Sequence, residues 1–270
     1  HRDLHLSLRR QRQMCIRDSY RGIYKSFDLP VLSGVDLTVD TGEMFALFGP
    51  SGTGKSVLLK TTLALIRPDR GDVEIDGLSV YYGNQETIDT VRRKVGYVFQ
   101  YAALFDSLNV FDNVAMGLPE EDLNQMPKLE VARKVWKSLE MVNLDPHEVL
   151  AKIPSELSVG SKKRVGIARA VVGQPEILLW DEPTTGLDPV NTAAIERLIA
   201  RLSKELEVTS LLVTHDVEGG LEMCDRVAML DGGVVRFCGT PEEFRGSPDT
   251  VVRAFVDRAA AEAALDMVSS

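Results

Sequence analysis

The stretch Glu43-Met-Phe-Ala-Leu-Phe-Gly-Pro-Ser-Gly-Thr-Gly-Lys-Ser-Val57 decides the fold. From Glu43 to Phe48 it is an apolar run without polar alternation, the pattern of a parallel strand buried on both faces. The run enters Gly49-Pro50-Ser51-Gly52-Thr53-Gly54-Lys55-Ser56, which fits G-x-x-x-x-G-K-S. Val57 to Ile66 then reads as a helix, stopped by Arg67-Pro68-Asp69. Strand, glycine-rich loop and helix in this order are the setting the motif requires. The glycines let backbone N–H groups wrap a chain of phosphates, and the helix N-terminus adds its partial positive charge. Lys55 is the candidate to reach the β- and γ-phosphates, and the Ser56 hydroxyl the candidate to ligate Mg²⁺. The alternative is an ordinary glycine-rich turn, which this context disfavours.

Outward from the loop, further buried strands are expected at Val95 to Phe99, Glu176 to Asp181 and Ser210 to Thr214. Between the last two, Ile195, Leu198, Ile199, Leu202 and Leu206 fall on one helical face. Strands alternating with helices predict a mostly parallel sheet covered on both sides. The stretch from Gln100 to Ser158 reads differently, as helices punctuated by Pro119, Pro127, Pro146 and Pro154. It is expected to be a helical lobe, about 101–158, inserted into the α/β core. Thr250 to Ala264 is alanine-rich and expected to be helical.

Two further constellations carry chemistry. Ile177-Leu-Leu-Trp-Asp181-Glu182 delivers two carboxylates at the C-terminal edge of a strand, where open α/β sheets bind their ligands. Asp181 is the candidate to hold Mg²⁺, and Glu182 the candidate general base that polarises an attacking water. Taken alone, the pair also fits a strand ending in solvated acids. His215 follows the strand Ser210 to Thr214 and could contact a γ-phosphate and the water; alone it reads more readily as a hydrogen-bonded surface histidine.

From Tyr20 onward, these motifs and their order resemble the ABC-type ATPases. The resemblance implies an α/β P-loop NTPase fold with a mostly parallel core sheet, an antiparallel β subdomain and the inserted helical lobe. Gly49 to Ser56 resembles the Walker A loop, with Val57 following, and Asp181-Glu182 the end of Walker B. Gln100 is similar to the glutamine that senses Mg²⁺ beside the membrane partner. Ser158, Val159, Gly160 and Ser161 stand where the L-S-G-G-Q signature belongs, with Val159 and Ser161 departing from it. Gly186-Leu187-Asp188 resembles the D-loop, His215 the switch histidine, and Phe27 the aromatic that stacks on adenine.

The resemblance further implies ATP and Mg²⁺ as ligands. It also implies a second copy of the chain, so that each γ-phosphate lies between one copy's loop and the other's signature helix. A separate permease would receive the motion near Gln100 at the cytoplasmic face of a bacterial inner membrane. Phe99 to Val114, with Lys55 to Lys60, Trp180 to Val190 and the segment around Phe255, resembles the Mla and MCE-associated ATPases of lipid transport. That narrower likeness implies a lipid cargo and an MCE-domain partner. Ala102, Leu104, Phe105, Leu108 and Val110 would then form an apolar socket for a permease helix; otherwise they pack the helical lobe. The competing expectation is an importer of a small solute such as an amino acid, with the same catalytic motifs.

Composition agrees with these expectations. The chain has 270 residues, enough for a full core in one large domain or a domain with a smaller lobe. No apolar run approaches the roughly 18 residues of a spanning helix, so a membrane role is expected to run through a partner. The net charge of −9 argues against bulk nucleic-acid binding. Cys15, Cys224 and Cys238 lack metal-ligand spacing, and an odd number points to free thiols in a reducing compartment. Residues 1–19 are arginine-rich, and Arg12 to Ser19 resembles translated adapter sequence. A non-native or disordered tail is expected there, then the ATPase domain over 20–245 and a helical extension over 246–270.

Overall fold

A computed structural model describes residues 16–268, with side chains from 19 to 261. In chain order, β1 (Ile16–Ser26) and β2 (Pro30–Asp40) form an antiparallel hairpin, and β3 (Met44–Phe48) crosses to a second sheet. β4 (Arg70–Ile75) and β5 (Leu78–Ser79) return to the first sheet, which runs β2-β1-β4-β5. The second sheet adds β6 (Val95–Val98), β7 (Ile177–Asp181), β8 (Thr209–Val213), β9 (Arg226–Asp231) and β10 (Val234–Gly239). Its order is β10-β9-β3-β8-β7-β6, parallel throughout except for the β9–β10 pair. A mostly parallel core with an antiparallel sheet beside it is the expected α/β architecture.

The helices are α1 (Lys55–Thr62), α2 (Gln85–Lys94), α3 (Val110–Ala115), α4 (Glu120–Gln125), α5 (Lys128–Met141), α6 (Pro146–Val149), α7 (Val159–Val171), α8 (Pro189–Glu205), α9 (Val217–Met223), α10 (Pro241–Arg245) and α11 (Thr250–Val268). Helices α3 to α6, with the 3₁₀ turn Pro154–Glu156, make up the helical lobe, and α7 packs against α3 and α5.

The unbroken apolarity of β3 has a direct cause. Phe45 and Leu47 enter a core with Ile23, Val35 and Leu58, on the antiparallel-sheet side. Met44, Ala46 and Phe48 enter a second core with Trp180, Ile195 and the helical lobe. Both faces are covered, so neither admits polar residues.

Several boundaries differ from expectation. The helix after the loop was expected to reach Ile66 and ends at Thr62. Ala64 takes a left-handed φ of 52°, and the Leu65 and Ile66 N–H groups turn back to the Lys60 carbonyl. The tail boundary expected after residue 19 falls inside β1, where Ser19 is buried and pairs with Thr38 and Glu74. Cys15 and the rest of residues 1–15 lie outside the described residues. The C-terminal helix is joined to the core: Val252 is fully buried, and Phe48 meets Phe244 and Phe255 at centroid distances of 5.6 and 6.5 Å.

Candidate active site

Strand register brings the motifs to one edge of the sheet. Leu47 of β3 and Asp181 of β7 both pair with Val213 of β8. The glycine-rich loop, the two carboxylates and His215 therefore leave their strands side by side. Two glycines in the loop are required by geometry. A side chain on Gly49 (φ 144°) would fall 2.2 Å from the Leu230 carbonyl, and one on Gly54 (φ 98°) would meet Leu32 and Val31 at 2.7 and 2.9 Å. Lys55 folds across the loop, donating to the Gly49 and Pro50 carbonyls at 2.7 and 2.9 Å. Burial lowers its pKa, opposed by the charges of Glu182 and Asp181. Thr53 Oγ1 donates to the same Pro50 carbonyl, Pro50 and Ser51 are exposed, and Val57 packs on the core beneath.

Behind the loop, the Ser56 hydroxyl donates to Asp181 Oδ1 at 2.6 Å. A hydroxyl and a carboxylate converging at a helix N-terminus are hard oxygen donors of the kind Mg²⁺ takes. These residues fit the ion, which would there neutralise phosphate charge. Asp181 Oδ2 accepts from the buried hydroxyl of Tyr97 at 2.7 Å. Burial raises the Tyr97 pKa, and the neighbouring Asp181 charge raises it further, so the phenol stays a donor.

Glu182 follows in a left-handed conformation (φ 48°). Its Oε1 meets His215 Nε2 at 2.7 Å, and its Oε2 accepts from Gln100 Nε2 at 2.8 Å and Thr185 Oγ1 at 3.2 Å. Glu182 is nearly buried, while His215 is half exposed. Three side chains thus converge on one carboxylate, two of them, Gln100 and His215, from far away in the sequence.

The turn that carries Gln100 is gripped from α7. Lys163 donates to the Gln100 carbonyl, and Arg169 to those of Ala102 and Ala103 at 2.6 and 2.7 Å. Gly166, midway between them, lies so close that an added side chain would sit 3.2 Å from Ala102. Burial lowers the pKa of Lys163, opposed by the Glu182 charge. Ala102 and Ala103 hold φ of 57° and 47°, a strained pair that the grip stabilises. Sequence reading missed this grip, and it missed Tyr97. The available signals were a hydroxyl inside an apolar strand and cations spaced by multiples of three on a helix.

The signature residues form a second cluster. Ser158 caps α7, accepting from the Ser161 N–H at 3.1 Å and meeting its hydroxyl at 3.0 Å. Val159 is 58% exposed and helical, so it carries none of the unusual dihedrals that a glycine there would permit. Gly160 faces Asn191, which donates twice to Asp188, the cap of α8. Those hydrogen bonds lower the Asp188 pKa. Phe27 lies on the β1–β2 hairpin, 60% exposed, with the Lys25 ammonium 5.3 Å from its ring centroid. Further along that hairpin, Val31 and Leu32 are the residues that crowd Gly54.

The expected apolar socket is corrected at Ala102 and Val110. Ala102 and Val110 are buried, Leu104 packs on the core, and Leu108 is half-buried. Phe105 is half exposed, and Tyr101 beside the socket is more so. Ala102 lies against Gly166 of α7, and Val110 enters the core at the start of α3, so these two residues pack the lobe.

A strand, a phosphate-cradling loop, a helix and paired carboxylates at the end of the next strand but one define a P-loop NTPase of the ABC ATPase type. The chain belongs to the ABC transporter family, whose model matches residues 32–185. A sulfate/thiosulfate import ATP-binding protein of Caulobacter vibrioides is 40% identical over 232 residues, spanning 85% of this chain and 66% of its own. A methionine import ATP-binding protein of Ralstonia nicotianae is 42% identical over 208 residues, 77% of this chain and 58% of its own. A probable ribonucleotide transport ATP-binding protein of Mycobacterium tuberculosis is 38% identical over 237 residues, 87% of this chain and 65% of its own. The chain thus spans about two thirds or less of these relatives.

Among solved structures, a dimeric ATP-binding cassette in a post-hydrolysis state with ADP and Pi superposes with a TM-score of 0.75 at 30% identity, covering 83% of this chain and 98% of that one. A component of an ABC transporter complex from Clostridium perfringens gives 0.76 at 28% identity, covering 90% and 96%. Among the described residues, no helix is long and apolar enough to cross a membrane.

Proposed function

We propose that this chain is the ATP-hydrolysing subunit of an ABC importer for a small solute, acting on a separate membrane permease. The observation that carries hydrolysis is Glu182, held between Gln100 and His215 and next to the Ser56–Asp181 pair. ATP phosphates would take the loop N–H groups and the Lys55 ammonium, which must leave the Gly49 and Pro50 carbonyls to reach them. Glu182 would orient the attacking water and accept its proton, while His215 and Gln100 fix the carboxylate and the water. Ser56, Asp181 and Gln100 would hold Mg²⁺, which lowers the repulsion that phosphate charge offers the water. Phe27 would stack on adenine.

The partner copy of the chain would supply Ser158, Val159, Gly160 and Ser161 to the γ-phosphate and Asp188 beside it. That reading is supported by the exposure of the signature cluster and by the likeness to a dimeric cassette. The solute reading is supported by the import relatives for sulfate or thiosulfate and for methionine. Work at the cytoplasmic face, with no nucleic acid, follows from the same reading.

Lipid cargo with an MCE-domain partner is the second reading. It keeps the sequence of Phe99 to Val114 and the exposed Tyr101 and Phe105. The relatives named above carry no lipid or MCE name, and the buried Ala102 and Val110 weaken the socket argument. Purification of the complex from its host distinguishes the two. A permease recovered with a solute-binding protein, and solute uptake lost with Glu182→Gln, support import. An MCE protein with bound lipid overturns it.

A further inference from the structure

Tyr97 lies on β6 directly opposite Leu179 of β7 in parallel register. Asp181 comes two residues after Leu179 and so shares its face of the sheet. The ring of Tyr97 runs along that face and brings its hydroxyl to Asp181 Oδ2 at 2.7 Å. Phe99 braces the ring, with centroids 4.5 Å apart, and Tyr97 is 7% exposed. Asp181 is 4% exposed, and its other oxygen, Oδ1, takes the Ser56 hydroxyl at 2.6 Å. Both oxygens of one buried carboxylate are therefore assigned, one toward the loop and one toward the strand interior.

We infer that Tyr97 is a positioning residue for the metal-bound nucleotide. Its hydroxyl anchors Oδ2, so that Oδ1 is presented at the corner formed with Ser56. The inference rests on the reading of this corner as a Mg²⁺–ATP site. A carboxylate only accepts hydrogen bonds, and the phenol is the donor that satisfies the oxygen on the dry side. Without that donor, a charged oxygen stays buried and unpaired. The carboxylate then relieves the deficit by rotating toward Lys55, which removes Oδ1 from the corner. Phenylalanine fills the same volume, so Tyr97→Phe removes the hydrogen bond and keeps the packing against Phe99.

Calorimetric titration of ATP tests this in a Glu182→Gln background, where turnover is blocked, with and without Tyr97→Phe, each in Mg²⁺ and in EDTA. The expected result is a metal-free affinity within about twofold of the parent and a Mg²⁺-dependent gain reduced roughly tenfold, the effect of one hydrogen bond to a charged group. On an Asp181→Asn background, Tyr97→Phe should add no further loss of that gain. An unchanged gain overturns the inference, as does an equal loss in Mg²⁺ and EDTA, which marks general support of the fold. Absence of any Mg²⁺-dependent ATP binding by the parent overturns the reading of the site itself, and the inference with it.

Discussion

The loop end of the core sheet and the tip of α7 use the same chemical parts, hydroxyls and N–H groups at a helix N-terminus, yet they are finished to different degrees. At the first, Lys55 and Asp181 are nearly buried, and Glu182 is engaged by His215, Gln100 and Thr185. At the second, Ser158 and Ser161 bond mainly to each other, and Val159 stands 58% exposed. Buried polar groups must find partners within the chain, whereas exposed ones can wait for a partner from outside. The first site is thus preorganised, as the proposed binding of phosphate and water requires, and the second is an exposed surface, as the proposed contact with another copy's ligand requires.

The largest effects should break the first site. Glu182→Gln is expected to cut turnover on the order of 10²–10⁴-fold, the usual worth of a general base, with ATP binding retained. Lys55→Ala should instead abolish tight binding, since its buried ammonium is folded across the loop. A steady-state ATPase assay with an ATP titration separates the two. Wild-type turnover by Glu182→Gln would remove Glu182 from its role. The same variant should dimerise in Mg²⁺–ATP and be monomeric without it by light scattering; a monomer at saturating ATP with the permease present would sink the division into two half-sites.

A smaller effect should come from what joins the two regions. Through Lys163, Gly166 and Arg169, α7 holds the turn of Gln100, while its N-terminus carries Ser158. Arg169→Ala leaves the Ala102 and Ala103 carbonyls without their donor and releases their left-handed backbone. Turnover is expected to fall about tenfold, as one charged hydrogen-bonding group is worth, with ATP affinity little changed. Equal ATPase rates for variant and parent would show that the two ends of α7 act independently.

Next in size is a stability effect away from both sites. Glu196 is pushed up to about 7 by burial first and then by the charge of Asp216, to which it hydrogen-bonds. Asp216 in turn caps α9 through the Gly219 N–H at 2.9 Å. A raised carboxylate stabilises the fold fully below its unfolded pKa, and that contribution is lost as pH climbs through about 7. Glu196→Gln keeps a neutral donor, so its melting temperature should exceed the parent's at pH 8 and match it near pH 4.5. Discounted for partial exposure, the difference should be roughly 2–4 °C, as about 1 kcal/mol produces in a domain of this size. Identical melting curves at pH 8 would dismiss the pair as a stability element.

The two regions also differ in how legible they were. The loop, Asp181 and Glu182 announce themselves because strand, glycine and charge must occur in fixed sequence order to meet phosphates. The core sheet followed from apolar runs such as Met44 to Phe48, whose two covered faces leave no room for polar residues. The convergence of Gln100 and His215 on Glu182 was visible only through the likeness to a family. Strands β6, β7 and β8 bring them together by tertiary pairing, which no local pattern encodes. Tyr97 and Arg169 escaped for the same reason: each acts across elements, on an oxygen whose need arises only once the chain is folded. The socket reading of Ala102 and Val110 failed because apolarity alone does not say which face of a segment is turned inward.

The smallest expected effect tests the unfinished region through Val159. In the isolated subunit the residue is helical, exposed and unstrained, so the chain itself has no need of glycine there. Replacement by glycine should lower the monomer's stability slightly, by less than about 1 kcal/mol, because glycine is a poor helix former and the site is at the first turn. Any gain must come from the second copy. In the closed dimer proposed above, the α7 N-terminus would face the other copy's γ-phosphate, and the two methyl groups of valine would stand at that approach. Steric strain of about 1 kcal/mol there would reduce the closed population several-fold. Val159→Gly should therefore tighten Mg²⁺–ATP-dependent dimerisation of the Glu182→Gln protein several-fold while leaving ATP affinity of the monomer unchanged. Sedimentation at a series of protein concentrations reads the first quantity, and calorimetry the second. The opposite signs of the two effects, weaker fold and stronger dimer, are what a surface shaped for a partner requires. A dimerisation constant equal to the parent's would mean that Val159 points away from the nucleotide, and that Gly160, beside Asn191, alone marks the closest approach.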